Sequence, residues 1–268
     1  MKNTAIVADF ATILSLRMPR LCTDDARARL ADALKKPSSC TKVYTPNPQI
    51  ALGAYRSSSL TAILNRADLL LPDGIGLVIA SRILGTPLPD RITGIDTGRY
   101  VLEIAEREGL SVALVGARDG VADRAAEKLC RELPRLKICY THHGYFSHEG
   151  KENVAVLDAL RAAAPDILFV CFGSPAQETW IDRYAASIPS LRLCMGLGGS
   201  LDVWAGNVRR APKWVSACGS EWLWRVLREP RRAKIFAQIP YFFLLVLRQK
   251  NKKKRAASDR KGSATALD

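Results

Sequence analysis

What this chain lacks narrows it quickly. It has no C-x-x-C, and its 7 cysteines (Cys22, Cys40, Cys130, Cys139, Cys171, Cys194 and Cys218) are odd in number and scattered. No pair has metal-ligand spacing, and Cys139, Cys171 and Cys194 fall in apolar strand-like runs. That suits reduced, buried thiols in a cytoplasmic protein rather than a disulfide framework. Of the 3 histidines, His142 and His143 are neighbours and His148 is close by. Adjacent side chains of an extended segment point to opposite faces, which argues against a metal site there. No D-x-D cluster ends a strand either, so no divalent metal is expected. The absence of G-x-G-x-x-G argues against a Rossmann-type dehydrogenase. The apolar run Ile235–Leu247 has 13 residues, with Gln238 and Pro240 inside it. Spanning a bilayer takes about 20. The N-terminus shows no signal-peptide pattern, and there is no internal repeat.

What is present suits a sizeable core. The chain has 268 residues, 48% of them hydrophobic, enough for one large α/β domain or two small ones. Its net charge of +14 is uneven: residues 209–268 hold 16 Lys and Arg against 4 Asp and Glu. The body is nearly neutral and the tail strongly basic. Such a tail suits nucleic acid, anionic lipid or a phosphorylated ligand.

The stretch Ala67–Gly76 organises the rest. Leu69, Leu70 and Leu71 form a short apolar run that Pro72 stops. Asp73 follows, and Gly74 and Gly76 allow a sharp turn. From Ile75 the apolar spacing becomes helical. The pattern reads as strand, turn and helix, with one carboxylate at the carboxyl end of the strand, the edge where open α/β sheets bind ligands. Asp73 can face a ligand there, or simply cap the following helix.

The pattern recurs along the chain. Residues 1–20 suit an outer strand or hairpin, and Ala26–Lys35 a helix. Lys42–Tyr44 reads as a strand ending in Thr45-Pro46-Asn47-Pro48-Gln49, with Pro48 in the first turn of a helix and Asn47 as its cap. Asp96 suits a cap for a helix over Thr97–Glu108. The strand Ser111–Val115 runs into Gly116-Ala117-Arg118-Asp119-Gly120, a general form for a phosphate or nucleotide turn. Leu136–Tyr140 is another strand. Asp166–Val170 is a strand almost without polar residues, and Gly173-Ser174-Pro175-Ala176-Gln177-Glu178 follows it. Gln177 then lies in a first helical turn, within reach of a ligand. Leu191–Met195 ends in Gly196-Leu197-Gly198-Gly199-Ser200, where Gly198 and Gly199 can bring backbone N–H groups close to a phosphate. Strands alternating with helices argue for a parallel, helix-covered sheet with one composite site at its carboxyl edge.

Beyond Gly206 the chain changes character. Trp222, Leu223, Trp224 and Leu227 interleave with Arg225 and Arg228, and Arg231–Leu247 reads as a second helix. This basic, aromatic, amphipathic segment suits an anionic membrane surface, or ordinary packing on the core. The expected division is an α/β core over 1–206, a basic helical appendage over 207–250 and a disordered tail over 251–268.

Together these motifs resemble the WecG/TagA/CpsF family, glycosyltransferase family 26. The resemblance runs from Thr41 to Leu247. Its marks are TPNPQ (45–49), LPDGIG (71–76), GID (94–96), GYF (144–146), GSPAQE (173–178), GLGGSLD (196–202), RAP (210–212) and EWLWRVLREPRR (221–232). The family implies a Rossmann-like core, a membrane-associating C-terminal appendage and no metal or other cofactor. It implies an inverting enzyme that moves a hexose from a UDP-sugar to a sugar linked to undecaprenyl diphosphate. The expected setting is cell-surface polysaccharide synthesis, teichoic acid and exopolysaccharide included, on the inner face of a bacterial membrane. N-acetylmannosamine, its uronic acid and glucose all remain as donors, and oligomeric state, a homo-oligomer included, stays open.

Carried over by residue, Asp73 matches the family's proposed base and Thr45 its active-site partner. Asn47 and Gln177 match polar pocket residues. Arg225 and Arg232 match arginines thought to hold the lipid diphosphate. A further basic position of the family is Ile235 here, with Arg228, Arg231 and Lys234 as nearby substitutes. Gly116, Tyr145, Gly198, Gly199 and Arg210 complete the expected substrate-binding set. The chemistry is consistent, since inversion needs a base for the acceptor hydroxyl and the departing diphosphate needs N–H groups or arginines. The rival from another class is a nucleic-acid-binding protein with a basic tail. It leaves the pocket motifs without a role, and the neutral body argues against it.

Overall fold

The computed structural model describes residues 10–36, 40–208 and 238–264. Six strands form one parallel sheet in the order β4-β3-β8-β7-β5-β6. They are β3 (Thr41–Tyr44), β4 (Leu69–Leu70), β5 (Ser111–Gly116), β6 (Lys137–His142), β7 (Ile167–Cys171) and β8 (Leu193–Gly196). A separate antiparallel hairpin, β1 (Phe10–Ile13) with β2 (Leu16–Pro19), meets the expectation for residues 1–20. The sheet is of the Rossmann-like kind expected from the sequence.

The central strands show why. In β7, Ile167, Phe169 and Cys171 enter one core cluster while Leu168 and Val170 enter the other. Side chains alternate across a strand, so a strand apolar on both faces must be covered on both. Helices α1 (Thr23–Leu34), α5 (Gly94–Glu108), α6 (Val121–Glu132) and α9 (Ser200–Trp204) cover one face. The other carries the hairpin, α2 (Pro48–Arg56), α3 (Ser58–Asn65), α4 (Ile75–Ile83), α7 (Gly150–Ala163), α8 (Ala176–Tyr184) and α10 (Gln238–Ala264). Burying one large aliphatic or aromatic side chain contributes about 1.5–3 kcal/mol, so the two layers are the main stabilising term.

Three expectations change. Cys171 and Cys194 are buried, but Cys139 is exposed because β6 is an edge strand. Cys218 lies outside the described residues. The α5 helix begins at Gly94, not Thr97, and its cap is Thr93, whose hydroxyl accepts from Asp96 N–H. The third change concerns the tail. Residues 251–264, expected to be disordered, continue α10, a stretch of Lys, Arg and Ala that favours helix. Pro240 is the third residue of α10, inside the first turn where an N–H has no partner to lose. Phe242, Leu245 and Val246 are buried in the core, and Gln249 bonds the hairpin through Leu14 N–H and Thr12 C=O. Tyr241, Leu244 and Leu247 stay exposed.

Candidate functional site

A parallel sheet puts the end of every strand on one edge, so all the polar and glycine-rich turns gather there. The chain leaves β5 toward β6 and β7 toward β8, in opposite directions. Such a reversal opens a crevice between the two strand ends.

At the β3–β4 side, two motifs lie against each other. Leu71 N–H bonds Tyr44 C=O and Asp73 N–H bonds Pro46 C=O, both at 2.9 Å. Gly74 has φ +111°, and a Cβ on Gly76 would stand 2.7 Å from Pro48 Cγ. The glycines are therefore required by the turn and by the approach to Pro48. Asn47 caps α2 as expected, its Oδ1 accepting from Gln49 and Ile50 N–H. That leaves its amide nitrogen for other partners. Asp73 does not cap the helix that follows it: the cap of α4 is Gly74, with no side-chain bond. Asp73 Oδ2 instead accepts from the Gly94 N–H, at 3.1 Å. Gly94 is the first residue of α5, whose positive end favours a negative charge there. Thr45 reaches the same glycine, since a Cβ on Gly94 would lie 2.6 Å from Thr45 Oγ1. Thr45 and Asp73, separated in sequence, thus meet at Gly94.

The β7–β8 side is joined by Gln177. Its Oε1 accepts from Gly198 N–H at 2.9 Å and Gly173 N–H at 3.3 Å, and its Nε2 donates to Glu178 Oε1 at 2.9 Å. Gln177 is buried, so it ties two turns together rather than standing open to a ligand. Gly198 N–H is occupied by this bond; Gly199 is exposed and keeps the open backbone. Burial pushes the Glu178 carboxyl above the usual carboxylate range. It pushes the Cys171 thiol to about 12 and Cys194 well above its ordinary value.

At the β5 end, Gly116 is buried with φ +147°, and a Cβ there would stand 2.5 Å from the Cys171 carbonyl oxygen. Its role is close approach of strands. Ala117 N–H bonds Cys171 C=O, and Gly144 N–H bonds Ala117 C=O at 2.8 Å. That anchors the loop carrying Tyr145, which is 73% exposed. Beside this turn is a cavity of about 520 Å³ lined by Arg118, Asp119, Val121, Arg124, Asp202, Asn207 and Val208. In the sequence, Arg118 and Asp202 stand out only as members of motifs, and Arg124 and Asn207 do not stand out at all. A basic residue in and just after a strand–glycine–helix turn is the signal that points to Arg118 and Arg124.

His142 Nδ1 bonds the His143 carbonyl, and His148 stacks on Phe172. Among the described residues no three His, Cys, Asp or Glu side chains gather to hold a metal ion. Nor is any helix among them long and apolar enough to cross a membrane. Arg210, Arg225 and Arg232 lie outside the described residues.

Comparison with known proteins gives the family. The model of the glycosyl transferase WecG/TagA/CpsF family matches residues 11–256. An N-acetylglucosaminyldiphosphoundecaprenol N-acetyl-β-D-mannosaminyltransferase of Bacillus subtilis (strain 168) is 35% identical over 212 residues, 79% of this chain and 81% of its own. The protein of that name in Bacillus spizizenii is 36% identical over 206 residues, 77% and 78%. That of Staphylococcus aureus (strain MW2) is 34% identical over 214 residues, 80% and 82%. With a family match over most of its length and relatives of this similarity, the chain belongs to the WecG/TagA/CpsF family of glycosyltransferases.

Proposed function

We propose that this enzyme transfers an N-acetylmannosaminyl group, with inversion, from a UDP-sugar to an N-acetylglucosamine carried on a polyprenyl diphosphate. The observation that carries the reading is the convergence of Asp73 and Thr45 on Gly94 at the carboxyl edge of the sheet. A single carboxylate there can take the proton from the acceptor hydroxyl as that oxygen attacks the anomeric carbon. The relatives' names support the sugar and the acceptor, both narrower than the hexosyl transfer expected from sequence.

The cavity beside β5 is the donor's nucleotide site in this reading. Arg118 and Arg124 border it at the start of α6 and supply positive charge for a diphosphate. Gly199 adds an open backbone, and the exposed Tyr145 ring is available to stack on a base. As the sugar leaves UDP, negative charge grows on the diphosphate, and these groups face it. Arg210, Arg225 and Arg232 would serve the lipid diphosphate. The enzyme then works at an inner membrane surface, held by its basic C-terminal part, where 16 Lys and Arg oppose 4 acids from residue 209 onward.

The test is a donor screen with purified full chain and a short-chain polyprenyl-diphosphate N-acetylglucosamine. UDP-N-acetylmannosamine should give product with inverted anomeric configuration. Turnover with UDP-glucose or the uronic acid alone would move the sugar assignment, and none with any UDP-sugar would end it.

A further inference from the structure

Among the described residues Glu178 is the one fully buried carboxylate, 1% exposed. Its Oε2 has no hydrogen bond in the described structure, although the nearby Ser174 hydroxyl favours its charged form. Keeping an acid in such a place is unfavourable, and an apolar residue of similar size would often cost less. A buried polar atom left without a partner therefore asks for a reason.

The reason lies in its neighbour. An amide's oxygen and nitrogen have nearly the same shape, and only their partners decide which end goes where. Two backbone N–H groups, of Gly173 and Gly198, need the Gln177 oxygen. Nothing in the amide's shape prevents the opposite orientation, in which its NH₂ would face both donors. The Glu178 oxygen facing the amide carries no proton and can only accept, whether or not the other carboxyl oxygen is protonated, so Oε1 takes the nitrogen and leaves the amide oxygen for the glycines. Gly196 makes room, since a Cβ there would stand 2.9 Å from Gln177 Nε2.

We propose that Glu178 is a positioning residue for sugar transfer. It orients the Gln177 amide, and that amide holds the Gly173 turn after β7 at a set distance from the Gly198 turn after β8. This rests on the reading of that edge as the substrate site. Gly199, exposed and next to Gly198, is the group whose place depends on the strut.

The experiment exchanges the two ends of the Gln177–Glu178 hydrogen bond. Gln177→Glu sets two carboxyls face to face. We expect turnover to fall about 10²-fold, the scale for misplaced substrate contacts, with amide exchange at Gly173 and Gly198 accelerated. Adding Glu178→Gln restores a donor opposite an acceptor with the polarity reversed, because the carboxylate introduced at position 177 still offers an oxygen to both glycines. The double variant should recover to within about 10-fold of the parent and regain slow exchange at both glycines. Both substitutions are close to volume-neutral, and melting temperatures of each variant report the fold. A double variant no better than Gln177→Glu alone would overturn the proposal. So would a Gln177→Glu variant with parental turnover and exchange. Amide exchange needs no substrate. If the parent shows no UDP-sugar transfer, the functional reading fails and the exchange pattern still decides whether Glu178 orients the strut.

Discussion

Asp73 Oδ2 accepts a hydrogen bond from the backbone N–H of Gly94, 3.1 Å away and 21 residues along the chain. The bond joins the turn after β4 to the first residue of α5 and fixes which way the carboxylate faces. Its motif alone leaves Asp73 as either a local cap or a functional group, and the geometry removes the local cap.

If Asp73 is the general base, Asp73→Asn should lower kcat by about 10²–10⁴-fold with UDP affinity retained. Asparagine keeps the oxygen that receives the Gly94 N–H and removes the basicity. Steady-state kinetics beside a UDP titration by calorimetry would check this. Near-normal turnover in the folded variant would remove the assignment.

Gly94→Ala tests the convergence itself. Elsewhere at a helix start, alanine would favour the helix by up to about 1 kcal/mol. Here its methyl would stand 2.6 Å from Thr45 Oγ1 and 3.5 Å from Leu197 Cδ2. Threonine is stiff at χ1, so Thr45 or the start of α5 must shift. We expect turnover to fall about 10²-fold while the melting temperature changes little. A large loss of stability that parallels the lost activity would show a packing role instead.

Much of this is legible in the sequence. The strand–turn–helix alternation, the hairpin, the Asn47 cap and the parallel sheet all follow from local pattern, where apolar period and turn residues act on neighbours. What stays hidden depends on segments far apart meeting in space. Gly94 looks like an ordinary helix-start residue because its constraint comes from Thr45 on another loop. Gln177 reads as a ligand-facing group, since nothing local shows that Gly198 takes its oxygen. Glu178 is one acid in a motif; its burial and unpaired oxygen exist only in the fold. The exposure of Cys139 likewise depends on strand order, which periodicity does not specify.

Glu178 also makes a pH prediction. Burial raises its carboxyl above the ordinary value of 4.5. Between that ordinary value and the raised one, the folded protein holds a proton that the unfolded chain has released. Stability from this group is full below the ordinary value and falls as pH rises toward the folded one. Glu178→Gln removes the effect. Denaturant titrations should therefore show the variant gaining on the parent as pH rises above the ordinary value of 4.5. A constant difference above that value would mean that the carboxyl is not shifted.

On the metal question we expect turnover to persist in excess EDTA. The expectation rests on the donor set: Arg118 and Arg124 line the cavity, and Asp119 and Asp202 are the only two carboxylates among its described lining residues. Loss of activity in EDTA, with rescue by Mg²⁺ or Mn²⁺, would reverse it.

The final prediction concerns α10, whose two faces should answer to different measurements. Phe242 is fully buried in the core with Leu245 and Val246. Phe242→Ala should cost about 3–5 kcal/mol of stability, as large-to-small core changes do. Truncation after Gly206 would remove these side chains, so it cannot separate anchoring from folding. Substitutions on the exposed face can. Leu244 and Leu247 are 44% and 47% exposed. If this face meets the bilayer, Leu244→Ser with Leu247→Ser should weaken binding to anionic vesicles and leave the melting temperature near that of the parent. Removing residues 251–268 should add to the loss, because each basic residue near an anionic surface contributes about 1 kcal/mol, screened by salt. Turnover on a soluble short-chain acceptor should survive both changes, whereas Arg225→Ala and Arg232→Ala should reduce it if a guanidinium holds the lipid diphosphate. Vesicle binding unchanged by the serine pair would mean that the C-terminal charge alone docks the enzyme. Binding insensitive to salt would exclude docking by charge.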